Sequence, residues 1–478
     1  MTISSTGVGS GLDVKSIVSQ LVAIEKQPLQ QLQTKAATFQ SQLSLYGKIK
    51  SQASALGDAA ALLAGAGGWS TQKSSSSNAA AVGVTAGTTA APGALSVEVQ
   101  QLARAQSSAS TGVAAGAAVG ATGTLRIEMG TWAGAPTALA FTAAVPAAFV
   151  DVLIDPADTV GAIASKINAA GGGVTATVLR DGANERLVIR SSASGEAAGF
   201  GITATGGNAA LSKFEVKGVI DSTNPAPASG MFMSQTALNA KVKLNGVDIV
   251  SATNKMVDAI PGVTLQLNQV TTAPAEIRIE NDLDVVQKNI QSFVDAYNAL
   301  NQTLADATKY SAATKTGGVL QGDSTTTGLQ NALRAMLGSS STGSTFSRLS
   351  DAGIERQTDG SLKINATKLT SAQQNLPNLK NLFAADNSNT ATNGFGLKVR
   401  DFARGLVAFD GSVTNKSAAI QGAISRNAKD QDRVTDRATR VEAQLFKQYS
   451  ALDAQMAQMN ALSSYVTAQL AVWNKSSS

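Results

Sequence analysis

With 478 residues, no cysteine and no histidine, the chain is long enough for about three or four hydrophobic cores. It lacks the thiolates and imidazoles of disulfide frameworks, Cys-bound zinc and Ser-His-Asp or Cys-His nucleophile systems, so an enzyme here would run on Asp, Glu, Lys, Tyr or Ser alone. The net charge of +5 is thinly spread, with 15% charged and 4% aromatic residues, which does not supply the basic stripe and stacking platforms of a nucleic-acid surface.

The amino terminus, Met1-Thr-Ile-Ser-Ser-Thr-Gly7, shows no basic region followed by an apolar one, so export is expected by a route other than a cleaved signal. Gly7-Val-Gly-Ser-Gly11 precedes a helix but lacks the Lys-Ser/Thr of a phosphate loop and a preceding strand, and reads as a leader. Asp13 is the expected N-cap, with Leu12 stapled over Ile17. An apolar series follows at Val14, Ile17, Leu21 and Ile24, is interrupted at Pro28, and resumes at Leu32, Ala36, Phe39, Leu43, Tyr46, Ile49, Ala53, Leu56 and Ala60. This three-and-four spacing predicts a coiled-coil stripe kinked at the proline. Ser70-Thr-Gln-Lys73 has Ser-x-x-Lys spacing but lies in a Ser-rich linker without companion motifs, and reads as chance.

Residues of about 70–280 change to Gly, Ala, Thr and Val with strand alternation at Leu95–Val99, Val242–Gly246 and Val263–Leu267, predicting antiparallel sheet. The apolar run from Thr131 to Ile154 carries Pro136, Pro146 and Asp151 and reads as buried strands and turns, without membrane insertion. A helix at Val160–Asn168 sits between strand candidates Val150–Ile154 and Val174–Leu179. With Leu187–Arg190 after the Asp181-Gly182 turn it makes a small α+β unit.

From Leu283 the chain is helical again, with Val286, Ile290, Phe293, Tyr297, Leu300 and Leu304 on one face. A shorter helix, Leu329–Leu337, is expected to end on Gly338 at C′. A turn at Thr358-Asp359-Gly360 then leads into a short strand, Leu362–Ile364, and further helical pattern to Phe383. Between Ala423 and Trp473 no proline or glycine occurs, and Ala438, Leu445, Leu452, Met459, Val466 and Trp473 recur every seventh residue. Val441, Tyr449, Met456 and Leu470 lie near the second seam. Such a helix is on the order of 75 Å long. Arg426–Asp430, Asp430–Arg433 and Asp436–Arg440 have pairing spacing. Asp282/Asp284 and Asp430/Asp432 read as solvated positions rather than metal ligands.

Two long amphipathic ends must be covered by each other or by other molecules. The residues expected to carry that interaction are Leu12, Val14, Ile17, Leu21, Ile24, Leu32, Phe39, Leu445, Leu452, Met456, Met459, Val466, Leu470 and Trp473. No catalytic, cofactor or metal residues are expected. The expected fold is α+β and multidomain, nested along the chain: a terminal coiled coil (1–42 with 425–478), a helix-rich, bundle-like domain (43–70 with 278–424) and two inserted β-rich domains (71–115 with 232–277, and 116–231).

Four stretches resemble the flagellar filament cap family, also called hook-associated protein 2: Ser5–Val14 with Ile17–Leu21 and Glu25–Leu29; Ile260–Leu265 before Asp284–Leu300; Asp351–Ile354 with Asp359–Leu362; and Phe446–Met456 with Ser463–Val466 and Gln469-Leu470. Thr159–Ser192 is similar to a short repeat of flagellin, hook-associated and cap proteins. The resemblance implies export through the flagellar type III route and a ring-like homo-oligomer of about four to six subunits at the filament tip. It implies that flagellin, hook-filament junction proteins and an export chaperone are the partners, and that the terminal coiled coil forms legs entering the filament. A second role, adhesion of the outer β-rich region to host glycans, and a third, carboxylate-based hydrolysis, are weaker readings because that region has no aromatic cluster and no catalytic motif.

Overall fold

A computed structural model describes residues 13–135, 138–220 and 230–476, which fall into two compact units: residues 13–69 with 283–476, and 70–282. Leu12, the leader glycines and Pro136 lie outside the described residues.

The first unit is helical. Its elements are α1 (Val14–Glu25), α2 (Gln27–Ala64), and, after the second unit, α4 (Leu283–Thr308), α5 (Ser324–Leu337), α6 (Ala366–Gln373), α7 (Leu376–Ala384), α8 (Phe395–Val407) and α9 (Ser412–Ser476); α3 (Val160–Ala170) belongs to the second unit. The spacing on α2 and α4 does what period-3.6 patterning requires: Tyr46, Ile49, Ala53, Leu56 and Ala60 face Val286, Ile290, Phe293, Tyr297, Leu300 and Leu304 in one core, all buried. Earlier on α2, Leu32 and Ala36 are only half-buried, while Phe39 and Leu43 pack on the edge of that core. Trp69 closes the core, its indole N–H donating to Leu63 O at 2.7 Å and its ring 5.7 Å from Phe383, which meets Phe293 edge-on at 6.0 Å. Gly396 lets α8 lie directly on α2, since a Cβ there would stand 2.9 Å from Ala64 N.

Two local expectations need correcting. Gly338 does follow α5, but at φ −80° in right-handed conformation, so its freedom to adopt the left-handed region is not used. The long terminal helix starts at Ser412, eleven residues before Ala423, and runs through Gly422 because Val413 and Ile420 are already part of the core. The Thr358–Gly360 turn closes a small hairpin of Ile354–Arg356 with Leu362–Ile364. Gly360 there has φ +85°, and a Cβ would meet the Arg334 guanidinium at 3.0 Å. Gly360→Ala should therefore lower stability by about 1–2 kcal/mol, read as a shifted denaturation midpoint.

The second unit is β-rich and holds two cores. The first lies under a five-stranded antiparallel sheet ordered Gln72–Ser76, Ala275–Asn281, Gly93–Gln101, Ala240–Leu244, Val247–Ser251, together with a three-stranded sheet of Lys255–Ile260, Val263–Leu267 and Val82–Ala86. Strand alternation sets the burial: Leu95, Val97, Val99, Val242, Leu244, Val263, Leu265 and Leu267 all point inward.

The second core is built on Gly123–Ala135, which pairs with Gly199–Thr205, Ala138–Ala143 and Phe149–Ile154, and on a six-stranded sheet containing the Val174–Asp181/Asn184–Ser191 hairpin. In that sheet Val216–Ile220 runs parallel to Met231–Gln235, a departure from the expected antiparallel pattern. The α+β unit also differs from expectation. Phe149–Ile154 and the hairpin belong to different sheets, and α3, capped by Thr159 and ended by Gly171, bridges them through Val160, Ile163 and Ile167. The apolar run Thr131–Ile154 forms strands that are buried on one face only: Val152 and Ile154 belong to the core, whereas Val145, Phe149 and Leu153 are exposed. Among the described residues no helix is long and apolar enough to cross a membrane.

Candidate interaction site

The terminal helices do meet. Asp13 caps α1 by accepting from Ser16 N at 3.0 Å, α1 ends at Glu25, and α2 restarts with Pro28 in its first turn, where the missing N–H costs nothing. α1 lies on the middle of α9, where Val14, Val18 and Val22 bury against Ala438, with Leu445, Phe446 and Tyr449 packed beside them. Glu25 reaches across to Arg437 at 3.1 Å.

This seam is not the one expected. Val14 is on it, but Ile17 is half-buried and Leu21 and Ile24 are exposed; the covered row is Val14-Val18-Val22, each four residues apart. α1 carries β-branched or leucine side chains on several faces, and the face that wins is the one α9 can reach. Along α9, Asp430 and Arg433 form the expected ion pair, whereas Arg426–Asp430 and Asp436–Arg440 stay apart.

Further along α9 the pattern changes. Leu445 belongs to the seam and Met456 is half-buried, but Leu452 (44%), Met459 (63%), Val466 (47%), Leu470 (52%) and Trp473 (74%) are exposed. They share the exposed stretch with Leu462, Tyr465 and Val472. Among the described residues no helix covers this stretch, so the heptad pattern extends about 40 Å beyond the last described turn of α1 contact.

A polar node fixes the other end of α9 and was invisible to spacing. Asp323 caps α5 through Thr326 N at 2.9 Å, accepts the Tyr46 hydroxyl of α2 at 2.6 Å, and pairs with Lys416 of α9 at 2.6 Å. Burial opposes its charge, yet Lys416, Tyr46 and Thr326 together hold its carboxyl down at about 2. Burial, reinforced by hydrogen bonding to Asp323, pushes the Tyr46 phenol far above its usual value. Three residues 46, 323 and 416 in sequence thus lock α2, α5 and α9 together. Among the described residues no group of three or more acidic side chains is placed to hold a metal ion.

The family model described as flagellar hook-associated protein 2 C-terminus matches residues 237–461, the corresponding N-terminus model matches 10–106, and the flagellin hook IN motif matches 141–193, beginning ahead of Thr159. Flagellar hook-associated protein 2 of Salmonella typhimurium is 30% identical over 336 residues, covering 68% of this chain and 70% of that relative. The Escherichia coli K12 protein of the same name is 29% identical over 480 residues, covering 98% of each. The crystal structure of the D1-D2-D3 domains of the flagellar cap protein FliD from Escherichia coli superposes with a TM-score of 0.59 at 27% identity, covering 79% of this chain and 99% of that one.

Proposed function

The chain belongs to the flagellar hook-associated protein 2 family, and from that premise we propose that it caps the distal tip of the bacterial flagellar filament with the distal part of α9 as the element that engages the filament. It is an exported structural protein that oligomerises at the tip and acts on flagellin as an assembly factor. The finer reading is a ring of about four to six copies that also meets hook-filament junction proteins and, before export, a chaperone. The cap reading draws support from the comparisons; the adhesive role of the outer β-rich region does not.

The observation that carries the reading is the exposed apolar stretch of α9 from Leu452 to Trp473. Covering each large side chain there is worth about 1.5–3 kcal/mol, so a face of this length left uncovered by the described residues is a site for other helices. The separate small core of Val14, Val18, Val22 and Ala438 supports treating 1–42 with 425–478 as the leg, apart from a helix-rich body of 43–70 with 278–424. The two further cores support β-rich domains at 71–115 with 232–277 and at 116–231.

The test uses a bacterium lacking the protein, complemented with Val18→Asp. A carboxylate at that fully buried position strips α1 from α9 at a cost of several kcal/mol, while the helix-rich core, which does not contain Val18, persists. The expected result is shortened filaments with flagellin monomer released into the medium. Filaments of normal length and number would remove the paired legs from the mechanism.

A further inference from the structure

An aromatic side chain stands in water at the corner between α8 and α9: Phe409 is 95% exposed. It is not on a floppy tip. Gly411 N donates to Ala408 O at 3.0 Å, and Asn415 Nδ2 donates to Asp410 O at 2.8 Å, so the corner holds Phe409 and Asp410 as a fixed pair, one ring beside one carboxylate. Elsewhere on the same unit, between the end of α5 and α8, lies a cleft of about 420 Å³ walled by Met336, Ala391 and Phe402. Lys398 stands at its rim. Its ammonium donates to Ser339 Oγ at 2.9 Å and Ser340 O at 2.7 Å and lies 5.1 Å over the Phe395 ring, but it reaches no carboxylate among the described residues. Asp401 on the same cleft is already engaged by Arg400 at 2.7 Å. Burial lowers the Lys398 pKa, as expected for a cation short of a counter-charge.

Knob and cleft are complementary twice over, in apolar shape and in charge. Resting on the oligomeric reading of the cap, we infer that Phe409 of one copy seats in the Met336-Ala391-Phe402 cleft of the next copy, with its Asp410 carboxylate against that copy's Lys398. The two surfaces are different patches of one chain, so within the ring of the oligomeric reading the contact runs head-to-tail from each copy to the next. A buried aromatic beside a desolvated ion pair is the kind of anchor that dominates an interface.

Sedimentation velocity of the full chain over a concentration series tests this. The unmodified chain associates; Phe409→Ala and Ala391→Trp, both at exposed positions, each weaken association about tenfold or more with unchanged thermal midpoints. Lys398→Glu weakens it too, and adding Asp410→Lys to the same chain restores it. Association of Phe409→Ala and Ala391→Trp at the unmodified strength overturns the contact while leaving the cap reading intact. An unmodified chain that stays monomeric at every concentration overturns the oligomeric reading and the contact together.

Discussion

A chain ended after Tyr449 folds with an unchanged thermal midpoint and supports no filament growth. Among the described residues none of the buried clusters draws on a residue beyond 449: α9 contributes Val413 and Ile420 to the helix-rich core and Ala438, Leu445, Phe446 and Tyr449 to the seam with α1. Removing the exposed stretch that contains Leu452, Met459, Val466, Leu470 and Trp473 therefore takes away surface that contributes little to the fold. It takes away all of the apolar face assigned to the filament. Calorimetry of the purified chain and electron microscopy of complemented cells separate the two effects. A truncated chain that still supports filaments at the normal rate would move the filament contact elsewhere, and a chain that unfolds would show that the distal helix is part of the body. Val18→Asp is milder, because it loosens the leg without deleting it.

Asp323→Ala destabilises the helical unit by about 2–4 kcal/mol, somewhat below the range for breaking a fully buried charged pair because Lys416 is one-third exposed. The loss has three parts. The α5 cap is worth about 1 kcal/mol, the Tyr46 hydroxyl is left buried beside Thr326, and the Lys416 ammonium keeps its position without a counter-charge. Asp323 is itself only 13% exposed, so water does not replace what is removed. Asp323→Asn keeps the cap and costs less. The pH dependence has a defined sign: the folded carboxyl sits at about 2, below its ordinary 3.8. Its contribution of about 2 kcal/mol is complete above pH 4 and is lost as pH falls toward 2. The gap in urea midpoint between the native chain and Asp323→Asn should narrow by about half from pH 7 to pH 3. Equal separation at both pH values would show that the ion pair adds nothing.

How much of this was legible in the sequence depended on whether one face of a helix stood out. On α4 apolar residues occupy a single face, so Val286 through Leu304 could be assigned to the core from spacing alone. On α1 they occupy several, and Ile17, Leu21 and Ile24 satisfied the same period as Val14, Val18 and Val22; only the position of α9 selects between the two rows. The start of α9 was missed because a glycine at 422 outweighed Val413 and Ile420 in a locally polar stretch. The Asp323 node has no local signature, since its partners lie 277 residues behind and 93 ahead in the chain, a relation fixed by tertiary packing.

The β-rich unit enters and leaves through neighbouring strands, with Gln72 opposite Asn281 and Ser76 opposite Ile277. Once that pairing forms, the ends of the long excursion are held about 5 Å apart. A gap spanning residues 70–282 would otherwise cost on the order of 4–5 kcal/mol of chain entropy to close before α2 could find α4. The insertion thus works as a clasp for the polypeptide that carries it: its own folding brings the two flanking ends of the chain close together, and its outer surface can vary without lengthening that search.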